Sequence, residues 1–338
     1  MTAPTPRELP LRAAHEASGA RFEPAHGWNL PKAYERGPGA EYDALRNTAA
    51  ITERTHYSRL LVTGSDAVDV LDAVLFGHVR ELEEDRSMGT FCTDAEGHVS
   101  DLVMLNRTGG IAYLVEGEPS RGPATEALLR AAVQADYDVR IDDRTSTTCA
   151  LEIVGPEAEK AVAAYVSPDL PPYLRPGHLV SFEFHGFRSS VRRAAGESPS
   201  YLFMMAPQVA SHLWESATAG GLVAAGTEAV ETLRIEDGVP SWAAEFSSGL
   251  TPEEANLVAG TAGRTLVSLS IQGPEPVRRG ADVIAEGAEI GYVTSSSPSR
   301  RLDGTAALAV IGSSFTTAGV RLSVAGRDAT TDLRHRSP

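Results

Sequence analysis

Cysteine is scarce in this 338-residue chain: there are two, Cys92 and Cys149. Neither belongs to a Cys-x-x-Cys pair or a Cys/His cluster, which argues against a disulfide framework and against a structural zinc site. Basic residues are also in deficit. Thirty Lys and Arg stand against 45 Asp and Glu, a formal charge of −15. That balance disfavours a nucleic-acid partner, whose affinity rests mainly on phosphate neutralisation by Lys and Arg. A small anionic ligand needs only a few local arginines and stays compatible. No apolar run is long enough to span a bilayer, so no membrane partner is expected. The opening MTAPTPRELPLRAAHEASG has no apolar core of signal-peptide type, so the expectation is a cytoplasmic protein with reduced, structural thiols.

The common chemical signatures are absent as well. No Gly-x-Gly-x-x-Gly opens a helix after a strand, and no phosphate-binding Gly-x-x-x-x-Gly-Lys occurs. There is no Gly-x-Ser-x-Gly elbow, no flavin or pyridoxal-phosphate signature, and no His-Glu-x-x-His spacing among the nine histidines. His56, His98 and His185, taken singly, read as structural or solvated.

What is present is the composition of an ordinary globular protein, 42% hydrophobic and 22% charged, long enough for two or three domains. Residues 1 to about 40 read as a short helix followed by an irregular arm anchored by Phe22 and Trp28. YDALRNTAAI reads as a helix and RLLVTG as a strand. SDAVDVLDAVLFG reads as a helix with Ser65 as N-cap and Gly77 past its end. Strands follow at GTFCTD, HVSDLVMLNR and IAYLVEG, then a helix around 122–136. Residues 148–240 repeat the rhythm: CALEIVG, the helix PEAEKAVAAYV, strands LVSFEFHG, FRSSVRR and YLFMMAP, and the helix QVASHLWESATAGG. TPEEANL reads as one helical turn capped by Thr251. From about residue 264, short strands punctuated by glycine predict a small antiparallel barrel or jelly roll.

Three segments combine charge with glycine in apolar surroundings. In EGHVSDLVML, Asp101 interrupts a buried strand, a costly position for a carboxylate unless it is paired or hydrogen-bonded. VRRAAGESPSYLFM carries Arg192, Arg193 and Glu197 around a glycine between strands. ETLRIEDGVPSW carries Arg234, Glu236, Gly238, Pro240 and Trp242. Read alone, this third segment is a helix ended by Gly238, with Arg234 and Glu236 on a solvated face.

Taken together and in order, these segments resemble the folate-binding aminomethyltransferase family typified by the glycine cleavage system T protein. That family includes tetrahydrofolate-dependent demethylases. ARFEPAHGWNLPKAY is similar to its N-terminal arm, and EYDALRNTAAITERTHYSRLLVTGSDAVDVLDAVL to its first helix, strand and helix. EGHVSDLVML is similar to the turn and strand carrying the catalytic aspartate, and AGESPSYLFMMAP to the Gly-Glu segment. ETLRIEDGVPSWAAEFSSGLTPEEANL is similar to the Arg-x-Glu-x-Gly segment, and EIGYVTSSSPS to the C-terminal Gly-x-Val-Thr-Ser turn.

The resemblance implies an α+β fold of three domains in a cloverleaf around a central channel. Two would be α+β domains, ferredoxin-like or Greek-key in character, at 1–147 and 148–258. The third would be a C-terminal β-barrel or jelly-roll-like domain at 259–338. It also implies tetrahydrofolate as cofactor, a small-molecule substrate and a monomer. Asp101 falls on the aspartate facing the N5/N10 side of the folate, with electrostatic or general-base duty. His56 falls on a histidine bordering the substrate side, a candidate for substrate proton transfer. Glu197 falls on the glutamate gripping the pterin edge, Arg234 on an arginine near the pterin and Trp242 on a pocket aromatic. Met88 and Val99 fall on the same cofactor-binding side.

The chain also departs from the family pattern. Ser100–Asp101 stands where paired aspartates are usual, Ala194 and Ala195 replace a Tyr-Thr pair, Met88 replaces a tyrosine, and the connection from Leu257 to Leu266 is short. On those departures the leading expectation is a tetrahydrofolate-dependent methyl or methylene transferase, either a demethylase or a specialised biosynthetic enzyme. The alternatives are a folate-binding accessory protein of the iron–sulfur-maturation type and a true glycine cleavage aminomethyltransferase.

Overall fold

The structure is a computed structural model and describes residues 5–194 and 199–332. The chain forms two compact units, one from residues 1–92 and 103–230, the other from 93–102 and 231–338.

Strand β1 (Arg7–Glu8) and helix α1 (Arg12–Ala17) lead into a hairpin of β2 (Arg21–Ala25) and β3 (Trp28–Ala33). These strands make a three-stranded sheet in the order β1–β3–β2, so the expected irregular arm is a sheet. Its turn is His26–Gly27, both at positive φ (52° and 77°), the conformation that a tight two-residue hairpin requires. Histidine in the place usually taken by Asn or Asp hid this turn from pattern reading.

Helix α2 (Pro38–Asn47) is followed by β4 (Ala50–Glu53), β5 (Ser58–Thr63), α3 (Ala67–Val74), β6 (Arg86–Thr93), β7 (Val99–Gly109), β8 (Ala112–Gly117), α4 (Gly122–Ala132) and β9 (Arg140–Asp143). Helix α3 buries Ala67, Val70 and Leu71, the i, i+3, i+4 stripe of an amphipathic helix. Its N-cap is Asp66 rather than the expected Ser65. The Ser65 hydroxyl instead donates to the Asp66 and Asp138 carboxylates, at 3.2 and 3.4 Å. A five-stranded sheet runs β6–β7–β8–β5–β9. Leu60, Val62, Val103, Leu105, Tyr113 and Val115 alternate into one core with α3 and Leu129 of α4.

The next stretch runs β10 (Cys149–Val154), α5 (Ala158–Tyr165), α6 (Leu170–Tyr173), β11 (Leu179–Phe184), β12 (Phe187–Arg193), β13 (Ser200–Met205), α7 (Pro207–Ala219), β14 (Val223–Ala224) and α8 (Thr227–Glu236). The sheet order is β11–β12–β13–β10–β4–β14, so β4 joins strands about a hundred residues away. Cys149, Leu151 and Ile153 face the core with Tyr201, Phe203, Met205 and Trp214 of α7. Glu152 alternates to the opposite face.

In the second unit, β15 (Arg264–Gln272), β16 (Asp282–Ala285), β17 (Ala288–Ser299), β18 (Gly304–Gly312), β19 (Arg321–Val324) and β20 (Arg327–Asp332) form a closed barrel. Pairing of β15 with β20 closes it, which selects barrel over jelly roll. Gly291 of the Gly-x-Val-Thr-Ser turn is where β17 crosses β18 most closely. A Cβ there would stand 2.0 Å from the Val310 carbonyl oxygen. TPEEANL forms a turn that does not propagate into helix. Thr251 N–H donates to Glu254 and Glu254 N–H to the Thr251 hydroxyl, at 3.0 and 3.3 Å, a capping box. Asn256, in a left-handed conformation (φ 56°), then turns the chain. The α+β class and the terminal barrel are as expected from the sequence.

Candidate active site

The segment that raised Asp101 begins with a turn built by Asp94. Its carboxylate accepts the N–H groups of Glu96 and His98 at 3.1 and 2.8 Å, with Gly97 at φ 85°. Strand β7 then starts under restraint from the loop after α8. Val99 N–H donates to the Leu250 carbonyl (2.9 Å), and the Val99 carbonyl accepts the indole N–H of Trp242 (3.2 Å). Two residues on, Asp101 is fully buried. Pleating puts it on the same side as Val99, with Ser100 on the other.

Helix α8 ends as the sequence predicts, at Gly238 (φ 70°), which needs glycine's freedom. Arg234 and Glu236 are nevertheless not on a solvated face. The Arg234 side chain is 12% exposed, and its nitrogens are occupied within this unit. They donate to Glu231 (2.6 and 2.8 Å), Glu245 (3.1 Å), Ser295 of β17 (3.0 Å) and the Val239 carbonyl. Glu245, fully buried, also accepts Ser241 N–H at 2.8 Å and the Ser295 hydroxyl. Arg234 is therefore a clasp that fixes the Val239–Glu245 turn, and with it Trp242, onto the barrel. Glu236 accepts the Ser299 hydroxyl and lies 3.5 Å from Arg301. Sequence reading missed Glu245 and Ser295. The serine sits in the noticed EIGYVTSSSPS turn, whereas Glu245, inside WAAEFSSG, carried no signal.

Val99, Asp101, Arg234 and Trp242 thus belong to one unit, and Met88 and His56 to the other. Met88 packs at the margin of the five-stranded sheet's core, its methyl against Gly77. His56 lies between β4 and β5, stacked near His26 (6.4 Å, 18°) and tilted against Tyr57 (4.8 Å). Its Nδ1 is buried and makes no hydrogen bond among the described residues. Burial, then the charges of Arg54, His26 and Arg59, push its pKa well below the usual imidazole range, so the ring is neutral. Glu197 lies outside the described residues.

The GCVT N-terminal domain matches residues 11–262, and the glycine cleavage T-protein C-terminal barrel domain matches residues 264–335. The chain belongs to the glycine cleavage T-protein family. This T-protein family member is 31% identical to a protein named Aminomethyltransferase from Saccharopolyspora erythraea, over 95% of this chain and 94% of that one. It is 30% identical to the Aminomethyltransferase of Cutibacterium acnes, again over 95% and 94%. The crystal structure of glycine cleavage system aminomethyltransferase T from Bartonella henselae superposes with a TM-score of 0.87. It covers 98% of this chain and 97% of that chain at 21% identity, a match of fold. The T-protein family is one of folate-dependent transferases that use tetrahydrofolate. These relatives support the aminomethyltransferase alternative better than the leading expectation of a specialised demethylase. Among the described residues, no helix is long and apolar enough to cross a membrane.

Proposed function

We propose that this chain is a tetrahydrofolate-dependent one-carbon transferase of the aminomethyltransferase type. The observation that carries the reading is the full-length relationship, at 31% identity, to a protein named Aminomethyltransferase. The chemistry of the candidate residues supports this reading. A fully buried carboxylate, Asp101, stands two residues from a backbone carbonyl held by an indole. That supplies a proton-handling group and a flat aromatic edge in one place.

When bound, tetrahydrofolate supplies the nitrogen that accepts or releases the one-carbon unit. Asp101 would hold or take the proton at that nitrogen and stabilise the positive charge that develops there, which a buried carboxylate does far better than a solvated one. Val99 and Trp242 would orient the pterin against it, since transfer needs the reacting atoms in line. By the family resemblance, Glu197 would grip the pterin edge, a pair of donors meeting one carboxylate, and Met88 remains a cofactor-binding candidate. Arg234 would act by holding the loop of Trp242. His56, neutral and with an Nδ1 that makes no hydrogen bond among the described residues, would exchange a proton with the substrate. The enzyme is read as cytoplasmic and monomeric, with no nucleic-acid or membrane partner.

A second reading, transfer from a small methylated donor, draws on Ser100, which stands beside Asp101 where the family usually has a second aspartate. The assay separates them by supplying an aminomethyl donor or a small N-methyl donor with tetrahydrofolate. Titration calorimetry with tetrahydrofolate should show saturable binding, and its absence would sink both. Asp101→Asn should abolish transfer and leave folate affinity nearly unchanged, whereas Glu197→Ala should weaken affinity.

A further inference from the structure

The two adjacent arginines in VRRAAGESP differ in their hydrogen bonding. Arg193 donates to the Leu174 carbonyl at 2.8 Å and lies over the Tyr201 ring. Arg192 pairs in register with Leu202, Leu202 with Glu152, and Glu152 with Thr52. Directly opposed residues share a face, and the neighbouring row, Val191, Phe203 and Leu151, is in the apolar core. Arg192 and Glu152 therefore lie on the sheet face turned away from that core. There Arg192 meets Glu116, which alternates out of the core of the five-stranded sheet.

The contact is a poor one. Arg192 Nε is 3.5 Å from Glu116 Oε1, beyond a hydrogen bond for this pair, although the two side chains are only 11% and 9% exposed. That same oxygen accepts the Asn106 amide at 2.7 Å, and Asn106 in turn accepts the Ser87 hydroxyl at 2.8 Å. Glu152 is committed too, to Arg54 at 2.9 Å and to the Ser200 hydroxyl. The buried Nε of Arg192 has no hydrogen-bond partner among the described residues.

A buried N–H without a hydrogen bond is destabilising even beside an ion-pair partner, because it forfeits its hydration without a compensating bond. Arg59, which is fully buried, is treated differently. Arg59 donates to the carbonyls of Thr55, Tyr57 and Thr145 and to the Thr148 hydroxyl, at 2.7–3.0 Å. What completes a guanidinium fork is a planar oxyanion received by two parallel N–H groups. The Arg192 side chain keeps 11% of its surface exposed.

We propose that Arg192 anchors a carboxylate-binding site in this polar layer of the first unit. The site goes beyond the folate reading and stands without it. Its ligand is a carboxylate, carried either by the tail of a folate or by a separate small substrate. Arg54, tied to Glu152 and stacked 3.9 Å over Tyr57, is the wall of the site rather than a second receptor.

The test uses the full chain. Arginine Nε–H resonances are followed by nitrogen-15 NMR during titration with sodium acetate, with sodium chloride as control. Arg192→Gln and Arg192→Lys identify the signal. Calorimetry compares tetrahydrofolate with tetrahydropterin, which lacks the carboxylate tail, in wild type and Arg192→Gln. A saturable acetate shift of the Arg192 resonance is expected. If the ligand is the folate tail, tetrahydrofolate also binds about tenfold more weakly in the variant, as for loss of one charge-assisted hydrogen bond, and tetrahydropterin is unaffected. If it is a separate substrate, both folate affinities hold while the acetate shift remains. No acetate shift, combined either with unchanged affinities or with equal losses for both pterins, overturns the proposal.

Discussion

Trp242 donates its indole N–H to the carbonyl of Val99, 3.2 Å away and 143 residues earlier in the chain. With the bond from Val99 N–H to Leu250 O, it holds both backbone polar groups at the start of the strand that carries Asp101. The buried Asp101 carboxylate, the proposed reactive group, is thus placed by a loop whose own position depends on Arg234 and Glu245.

Replacing Trp242 by Phe keeps the ring and deletes the donor. The cost expected is about 1 kcal/mol of stability, the net worth of one hydrogen bond, read from the urea midpoint. Transfer activity should fall further than stability requires. An activity equal to wild type at full folding would count against placement of Asp101 through this bond.

Glu245→Ala should cost about 3 kcal/mol, because it strips a buried carboxylate from Arg234, Ser241 and Ser295 and leaves the guanidinium short of a partner. Glu231→Ala removes the other carboxylate on Arg234, but that residue's side chain is 49% exposed. Its loss should cost under about 1 kcal/mol. Denaturant unfolding of the two variants would reverse this ranking only if the Arg234 clasp were held from outside.

His56 predicts a stability that depends on pH. Burial holds its folded pKa well below the ordinary value, so the unfolded chain takes up a proton that the folded chain refuses. Stability is complete above about pH 6.5, the unfolded imidazole's range, and declines as pH falls below it. His178, also lowered, chiefly by burial, has the same sign. In Tm measured from pH 7.5 to 5, His56→Gln should flatten part of the slope and leave the rest. An unchanged slope would place the acid sensitivity elsewhere.

Cys149 sits in the core of the six-stranded sheet, and burial, with the charge of Glu53 next, pushes its thiol up to about 12. The thiolate is the reactive species, so iodoacetamide at pH 8 should leave Cys149 unmodified in the native protein and label it in denaturant. Labelling under native conditions at a rate near that of a free thiol would contradict its burial.

Much of the architecture was written locally. The short apolar runs CALEIV and YLFMMA, the Val70–Leu71 stripe of α3 and the glycine-punctuated strands after residue 264 each declare an element locally. The His26–Gly27 hairpin was not legible, because its first position lacks the Asn or Asp that usually marks such a turn. Of the proposed site, the sequence offered Asp101, Arg234 and Trp242 as candidates through motif order. It misread the surroundings of Arg234 and Glu236, since one helix turn cannot reveal that Ser295 and Ser299 of the barrel will cover it. Glu245 was invisible for the same reason: its partners Arg234 and Ser295 are 11 and 50 residues away.

The sequence by itself determined most of the elements after the N-terminal arm, the α+β class, the terminal barrel and the order of family segments, because these follow from periodicity and turn chemistry within short windows. Only the tertiary structure decided which polar groups find partners. It saturates Arg234 and Arg59 and leaves Nε of Arg192 and Nδ1 of His56 without hydrogen bonds among the described residues. Satisfaction of a buried charge depends on strands brought together from far apart in the chain, and no local pattern encodes that.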